Sequence, residues 1–583
     1  MEQEDQKNMV IAVVLMIAIL IGWEYFVAPH FAPPKPPVSA QAVQGPAAAQ
    51  STAAPSGAAS TAIAPGAGPA PTAIRPRAEI LAETPRVPID TPRLHGSISL
   101  VGARLDDLTL ATYHETVDPK SPEIELLSPS GSDHAYMIDL GWVPDDKSVA
   151  VPDDMTRWTE TSQGSLTADH PVALSWDNGT GLIFTRQIAI DADYMFTITQ
   201  SVANHGTAPV TLRPYGSVAR SGAPPVSPTY LLHVGAIGVL EGRLKEIKYA
   251  AIKDAPPTEA ESTGGWLGFN DKYWLAAVIP DQSEAVKSGF RWTGSAELER
   301  YQADYIGDNR TIAPGASAVS SSRVFAGAKE VKLLDRYEAD LGIPLFDHAI
   351  DFGTYFYWLT KPIFLALDFI NGKIGNFGLS IMLLTLLIKI LFFPLANNSY
   401  RAMGKMKQLQ PEIQKLREKY GEDKAKINQE VMALYKRVGA NPMAGCLPIL
   451  VQIPVFFSLY KVLYVTIEMR QAPFYGWVHD LSAPDPTTWL NLFSLLPYNP
   501  SSWAPHALML GAWPLIMGVT MFLQQKLNPA PADPVQAKMM MALPLVFTFM
   551  LGQFPAGLVI YWAWNNSLSI TQQWLIMRRA RTP

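Results

Sequence analysis

Apolar and polar residues follow three different patterns along this chain, and each pattern predicts a different kind of element. Long apolar runs occur at 9–27, 377–396, 445–465, 506–524, 537–553 and 556–577. Each is close to the roughly 20 residues that a helix needs to cross a bilayer. Between 79 and about 340 the pattern changes to short stretches that alternate apolar with polar residues. Examples are Gly96-Ser-Ile-Ser-Leu-Val, Leu182-Ile-Phe-Thr-Arg-Gln-Ile-Ala-Ile and Trp274-Leu-Ala-Ala-Val-Ile. Period-two alternation punctuated by Gly, Pro, Asn and Asp predicts an all-β sandwich. Residues 344–374 are aromatic and amphipathic, and Lys361 and Asp368 argue against a crossing, so a helix lying along the membrane surface is expected.

The linking segments complete a five-part organisation. Residues 1–27 form an N-terminal anchor. It begins acidic, its core is long, and Trp23, Tyr25 and Phe26 form an interfacial belt, so it reads as uncleaved. Residues 28–78, rich in Pro, Ala, Gly and Ser, are a tether that cannot bury enough apolar surface to fold. The β-domain follows at 79–343, then the surface helix at 344–374, then a five-span core at 375–583. Within that core, 397–443 reads as a charged helical hairpin. Its predicted helices carry Met406, Leu409, Ile413 and Leu416, then Ile427, Val431, Leu434 and Tyr435, with the break at Gly421.

Charge sets the orientation. The 397–443 segment holds ten Lys and Arg, the 525–538 segment holds Lys526 and Lys538, and the tail holds Arg578, Arg579 and Arg581. Across the membrane, the 466–505 segment holds only Arg470. The positive-inside rule therefore places both termini and the hairpin in the cytoplasm and the β-domain outside. Overall composition (48% hydrophobic, 17% charged, net charge −6) averages over these regions. The single cysteine, Cys446, excludes an intrachain disulfide or a cysteine-based metal cluster.

Enzyme signatures are missing from the sequence. Ten histidines are scattered without HExxH spacing, and no GxSxG elbow or P-loop is present. The unusual residues lie in the spans. Lys389 interrupts an otherwise apolar run, and Thr385, four residues earlier, shares its helix face. Gln452 lies between Pro448 and Pro454. The last span carries Tyr561, Trp562, Asn565, Asn566, Ser567, Ser569, Thr571, Gln572 and Gln573. Lys389 lies near the end of its run and could snorkel to the surface. The polar residues could equally serve ordinary interhelical hydrogen bonding. Taken together they predict a wet cavity open toward the cytoplasm. The hairpin's charge could serve solubility and topology, or dock a ribosome, a nascent chain or anionic lipid.

Several motifs carry a family resemblance. They include Gly375-Asn-Phe-Gly-Leu-Ser, Lys405-Met-Lys-Gln-Leu-Gln-Pro-Glu-Ile-Gln, Asn441-Pro-Met-Ala-Gly-Cys-Leu-Pro, Gln452-Ile-Pro-Val-Phe, Arg470-Gln-Ala-Pro-Phe and Phe554-Pro-Ala-Gly-Leu-Val-Ile-Tyr. In these the chain resembles the YidC membrane protein insertase family in its Gram-negative form. The resemblance implies an α-helical polytopic membrane protein with six transmembrane helices. It also implies a large all-β periplasmic domain, a β-supersandwich similar to galactose mutarotase but without that activity. The implied function is insertion and folding of inner-membrane proteins through a cytoplasm-open hydrophilic groove, alone or with the Sec translocon. Carried over by position, Lys389 matches the groove cation, usually Arg in the family. Thr385 and Trp562 match substrate-contacting positions, and Gln452 and Tyr561 are groove neighbours. Lys lacks the bidentate fork of Arg. No cofactor is implied. Implied partners are nascent inner-membrane proteins, the Sec translocon and its accessory subunits, the ribosome and anionic phospholipids, with no specific nucleic acid sequence. The tail lacks the long basic extension of some relatives. Docking is therefore expected at the hairpin, on Lys405, Lys407, Lys415, Arg417 and Lys419, and at the 525–538 loop.

Two other readings compete. A small-solute transporter with a periplasmic binding domain predicts internal repeats and interrupted helices in two halves, and the sequence carries neither. A membrane-tethered sugar enzyme needs only one span, and five more with aligned polarity argue against it.

Overall fold

The computed structural model describes residues 74–224, 232–254, 256–294, 299–353, 355–421, 423–439, 447–505, 508–528 and 534–579. The expected anchor at 1–27, the tether as far as residue 73 and the 441–446 turn lie outside the described residues.

Two antiparallel sheets form the β-domain. In spatial order the first runs Arg86–Asp90, Leu94–Ser99, Leu105–His114, Tyr136–Pro144, Val210–Ser221, Glu299–Gly307, Ala285–Gly294 and Thr258–Thr263. The second runs Arg243–Lys248, Gly235–Leu240, Trp266–Asn270, Trp274–Ile279, Ser317–Ala328, Met195–Asn204, Leu182–Ile190, Val172–Asp177 and Thr159–Glu160. Alternation decides which face is buried. In Leu182–Ile190 the side chains of Leu182, Phe184, Arg186, Ile188 and Ile190 all point inward. Arg186 is tolerated there because its guanidinium donates to the carbonyls of Ala103, at 2.6 Å, and Leu140, and lies over Trp158. Two glycines let aromatic rings cross the first sheet. A Cβ at Gly141 would meet the Tyr215 ring at 2.7 Å, and one at Gly216 would meet Tyr305 at 2.6 Å.

Ten helices carry the rest of the described chain. They are α1 (Val331–Leu341), α2 (Tyr357–Ile374), α3 (Phe377–Leu391), α4 (Phe393–Gln408), α5 (Gln410–Tyr420), α6 (Lys424–Val438), α7 (Leu447–Val465), α8 (Ala512–Leu527), α9 (Pro534–Leu551) and α10 (Ala556–Arg579). Helix α10 packs against α8, α3 and α4, while α2 packs against α3 and α7.

Two sequence expectations need correction. The apolar run 377–396 is not one helix. It breaks at Phe392, where Pro394 opens a new helix, and α3 and α4 diverge by 70°. The first hairpin helix is likewise divided at Leu409, because Pro411 opens α5. Tyr400, Met403, Met406, Leu409 and Ile413 then pack with Val431, Leu434 and Ile576. Among the described residues no single helix is long and apolar enough to cross a membrane, and only the bent α3–α4 pair meets that requirement together. The count of six spans therefore rests on the sequence alone.

A polar seam joins the β-domain to the helical part. Lys461, near the end of α7, pairs with the largely buried Asp351 at 2.8 Å. Arg470 donates to the His114 carbonyl at 2.5 Å and lies over Trp274, and Gln471 reaches the same carbonyl at 3.2 Å. Lys361 of α2 bridges Asp335 at 2.8 Å and Asp347 at 2.6 Å. Glu468 accepts from the Val331 backbone N–H at 3.0 Å, at the start of α1. Its other oxygen is buried without a partner. Burial pushes the Glu468 carboxyl up to about 7, against the pull of the backbone donors.

An acid whose value is raised in the folded protein stabilises fully at low pH, and that contribution is lost as pH rises from about 4.5 to about 7. Asp304, raised to about 6 chiefly by burial, acts in the same direction. The readout is therefore the difference between wild type and Glu468→Gln. Thermal unfolding of the purified protein from pH 5 to pH 8 should show the wild type losing stability toward pH 8, and Glu468→Gln losing distinctly less.

Candidate functional site

Four elements build a cleft in the helical part. Its lining includes Thr385, Ile388 and Lys389 of α3, Tyr400 of α4, Gln452 and Val455 of α7, and Tyr561, Asn565 and Gln572 of α10. It spans about 570 Å³, solvent at its opening included. Helical periodicity accounts for the membership. Thr385 and Lys389 are four apart on α3, and Tyr561, Asn565, Ser569 and Gln572 follow one face of α10. The other polar residues of α10 turn elsewhere. Asn566 donates to Thr520 of α8 at 3.3 Å, and Gln573 donates to Asn528 at 3.3 Å. The polarity of the last span is thus divided between a cleft and an interhelical contact.

The Lys389 ammonium donates to Ser569 Oγ at 2.8 Å. Ser569 Oγ in turn donates to the Asn565 carbonyl at 2.8 Å, and the Tyr400 hydroxyl lies against the same Ser569. Among the described residues no carboxylate pairs with Lys389. The ammonium sits in the last turn of α3, where the helix's carbonyl end favours a cation by about 0.3–1 kcal/mol. The opposite face of α3 (Leu383, Leu386, Leu387, Ile390 and Leu391) is exposed and wholly apolar. Gln452 reaches the Tyr561 hydroxyl across the cleft. Thr385 bonds back to the Ile381 carbonyl at 2.6 Å, so its hydroxyl is satisfied within its own helix.

Of the residues expected from the sequence, Lys389, Thr385, Gln452 and Tyr561 meet in this cleft, and Trp562 does not. Trp562 stacks on Phe456 with ring centroids 4.5 Å apart and packs with Met517, Leu551 and Val559. Tyr460 lies against Phe554 with ring centroids 6.0 Å apart, so a second aromatic contact joins α7 to the residues just before α10. Sequence reasoning missed Tyr400. Helical phase could not have found it, because the break at Phe392 separates Tyr400 from Lys389.

At its Tyr400 end the cleft adjoins a basic mouth. Tyr400 also lines a second cavity of about 1460 Å³, with Arg401, Lys405 and Lys407 around it. Lys415 and Lys419 instead line a recess between α5 and α6, together with Glu412, Glu430 and Arg437. Arg417, half-buried beside Tyr435, lines neither. The five expected docking residues therefore occupy separate surfaces.

Comparison with known proteins decides the family. Residues 86–366 match the YidC periplasmic domain, and residues 369–582 match the 60Kd inner membrane protein family. The membrane protein insertase YidC of Granulibacter bethesdensis is 49% identical over 587 residues, covering 99% of both chains. That of Nitrobacter hamburgensis is 52% identical over 589 residues, covering 99% of this chain and 95% of its own. The chain belongs to the YidC membrane protein insertase family. YidC relatives are inner-membrane proteins with a periplasmic domain, which here is the two-sheet sandwich. Among solved structures, an active YidC insertase aligns over 83% of this chain and 91% of its own, at 17% identity and a TM-score of 0.35. A putative aldose 1-epimerase from Escherichia coli K12 aligns over 42% of this chain and 99% of its own, at 12% identity and a TM-score of 0.28.

Lining and packing residues should respond differently to truncation. Ser569→Ala leaves Lys389 beside an open cleft where water can replace the hydroxyl, so thermal stability in detergent should fall by about 1 kcal/mol. Trp562→Ala removes a packed ring and should cost about 3 kcal/mol. A comparison of melting curves for the two variants checks the assignment.

Proposed function

We propose that this protein inserts and folds inner-membrane proteins, with the cleft around Lys389 as the path for the client's polar segment. The observation that carries the reading is an ammonium that, among the described residues, meets a serine hydroxyl and no carboxylate, in a cleft with aromatic contacts toward one end and a basic cavity sharing Tyr400 at the other. A client hairpin enters through the basic mouth. Its acidic or polar segment pairs transiently with Lys389 and with the amides of Gln452, Asn565 and Gln572. Its apolar segment moves past the exposed aliphatic faces of the helices into lipid. The driving force is apolar transfer, about 25 cal/mol per Å². The membrane potential adds about 2.3 kcal/mol per translocated charge per 100 mV.

No covalent bond is made or broken on this path, so the role is that of an insertase and chaperone rather than an enzyme. The basic hairpin and the 525–538 loop, with both termini, lie in the cytoplasm. Lys405 and Lys407 meet the client at the mouth of the cleft. Lys415, Lys419 and the rest of the hairpin contact the ribosome and anionic phospholipids. The periplasmic domain, fixed through the seam at Arg470 and Lys461, leaves the helical part free to work alone or beside the Sec translocon. Trp562 acts by holding α10 against α7.

Lys389→Ala tests the charge. A hydrogen bond to a charged group contributes about 1.5–3 kcal/mol. Insertion of a client with an acidic residue in its translocated segment should therefore fall about tenfold in reconstituted vesicles, and a neutral variant of the same client should be much less affected. Equal insertion of both clients by wild type and variant would remove Lys389 from the mechanism.

A further inference from the structure

The segment 486–511, which joins α7 to α8 at the end near the β-domain, is built inside out. It contains no Asp, Glu, Lys or Arg over its whole length. Its large side chains point outward: Trp489, Leu492, Phe493, Leu495, Tyr498 and Trp503 are exposed, Leu495 to 81% and Trp503 to 65%. Thr487, Thr488 and Asn491 are buried beneath them, while Ser494, Asn499 and Ser502 share the exposed face. In water this distribution would be costly, because a solvated loop turns its polar groups out.

The interior is a dense hydrogen-bonded frame. Just before the segment, the Asp485 carboxylate accepts from Trp477 Nε1 at 3.1 Å, Thr487 N at 3.0 Å, Thr487 Oγ1 at 2.7 Å and Trp513 N at 2.9 Å. Asn491 Oδ1 accepts from Ser494 N at 2.9 Å, and its backbone carbonyl accepts from Leu496 N at 3.1 Å. Trp489 donates its backbone N–H to the Leu510 carbonyl at 3.0 Å and its Nε1 to the Leu508 carbonyl at 2.8 Å. Backbone groups satisfied from within are what a hydrocarbon or interfacial environment requires. Leu492, Phe493 and Ser494 hold φ values of 51°, 58° and 73° in succession. A left-handed backbone is disfavoured at non-glycine residues, and both Leu492 and Phe493 are exposed there.

Helix length supplies an independent observation. Helix α8 has 16 residues and is about 24 Å long, against a hydrocarbon core of about 30 Å. Ile516, Val519, Phe522 and Leu523 of α8 are exposed and apolar, as are the large residues of the segment that precedes it in the chain. Exposed apolar residues thus occur on both sides of Gly511.

We propose that residues 486–505 and 508–511 form a lipid-binding surface, immersed in the periplasmic leaflet with Trp489, Leu495 and Trp503 at the level of the upper acyl chains. The aromatic residues fit the interfacial layer, where amphipathic rings partition, and the uncharged composition fits the acyl region rather than a headgroup site. The proposal rests on the reading of α8 and α9 as membrane-embedded, and the test separates the two.

The single native cysteine makes the test direct. In a Cys446→Ser background, Leu495→Cys, Trp503→Cys, Leu545→Cys and Val117→Cys each receive an environment-sensitive fluorophore. The full chain is reconstituted into phosphatidylethanolamine–phosphatidylglycerol vesicles. Leu545 is an exposed apolar residue of α9 and Val117 an exposed residue of the β-domain. Labels at 495 and 503 should emit at blue-shifted wavelengths and resist iodide. A nitroxide near the top of the acyl chain should quench them at least twofold more strongly than one near its end. Water-like emission and iodide access at 495 and 503, equal to those at 117, would overturn the proposal while a shielded label at 545 left the membrane reading intact. Water-like emission at 545 as well would overturn both. Shielding of 495 and 503 only after a second membrane protein is added would also overturn it, in favour of a protein partner.

Discussion

A cation inside a helical bundle must find acceptors, water or an opposite charge, and among the described residues Lys389 donates to one serine hydroxyl. Desolvating an unpaired charge costs several kcal/mol, so the surrounding structure has to keep that site wet. Asn565 and Gln572 of α10 do this in the cleft wall, with Ser569 buried beside them, while Gln452 and Tyr561 complete the wall across from α3. The break after α3 serves the same end. It places Lys389 in a terminal turn and swings α4 by 70°, so that Tyr400 lines both the cleft and the basic mouth beyond it.

Aromatic contacts anchor α7 beside the cleft. Phe456 packs on Trp562 of α10, and Tyr460 on Phe554 just before it. Just beyond them the α7 terminus is clamped to the β-domain by Lys461–Asp351, Glu468–Val331 and Arg470–His114. The seam has a buried or half-buried polar character and is directional, so it fixes an orientation where an apolar patch would allow sliding. The β-domain thereby braces the end of α7.

Much of this was legible in the sequence, for physical reasons. One-sided burial in an antiparallel sheet forces period two, which is why Leu182–Ile190 could be read directly as a strand, whereas Trp274–Ile279 is a short apolar run buried on both faces. Thr385 and Lys389 were paired by a four-residue spacing, and the apolar hairpin positions by the same rule. Where the structure adds to the sequence, helical phase and helix breaks decide which neighbours in sequence share a surface. Tyr561 and Trp562 are neighbours, but successive helical residues point about 100° apart, so one faces the cleft and the other packs toward α8. The run Phe392-Phe393-Pro394 keeps the hydropathy of a continuing helix, which hid the bend and with it Tyr400. The basic residues 405 to 419 read as one patch, yet the break at Leu409 sends Lys405 and Lys407 to the mouth and Lys415 and Lys419 to an outer recess.

The central claim is that the client's polar segment travels through the cleft rather than along the outer surface of the bundle. Site-specific photo-crosslinking to ribosome-stalled membrane-protein chains tests it most directly, with the reactive group placed at Thr385 or Gln452 inside the cleft and at Val519 on the exposed face of α8. The account predicts strong adducts from 385 and 452 to the polar segment of the client, over a defined window of chain lengths, and little from 519. Adducts to that segment from 519 alone, with 385 and 452 silent at every chain length, would contradict it.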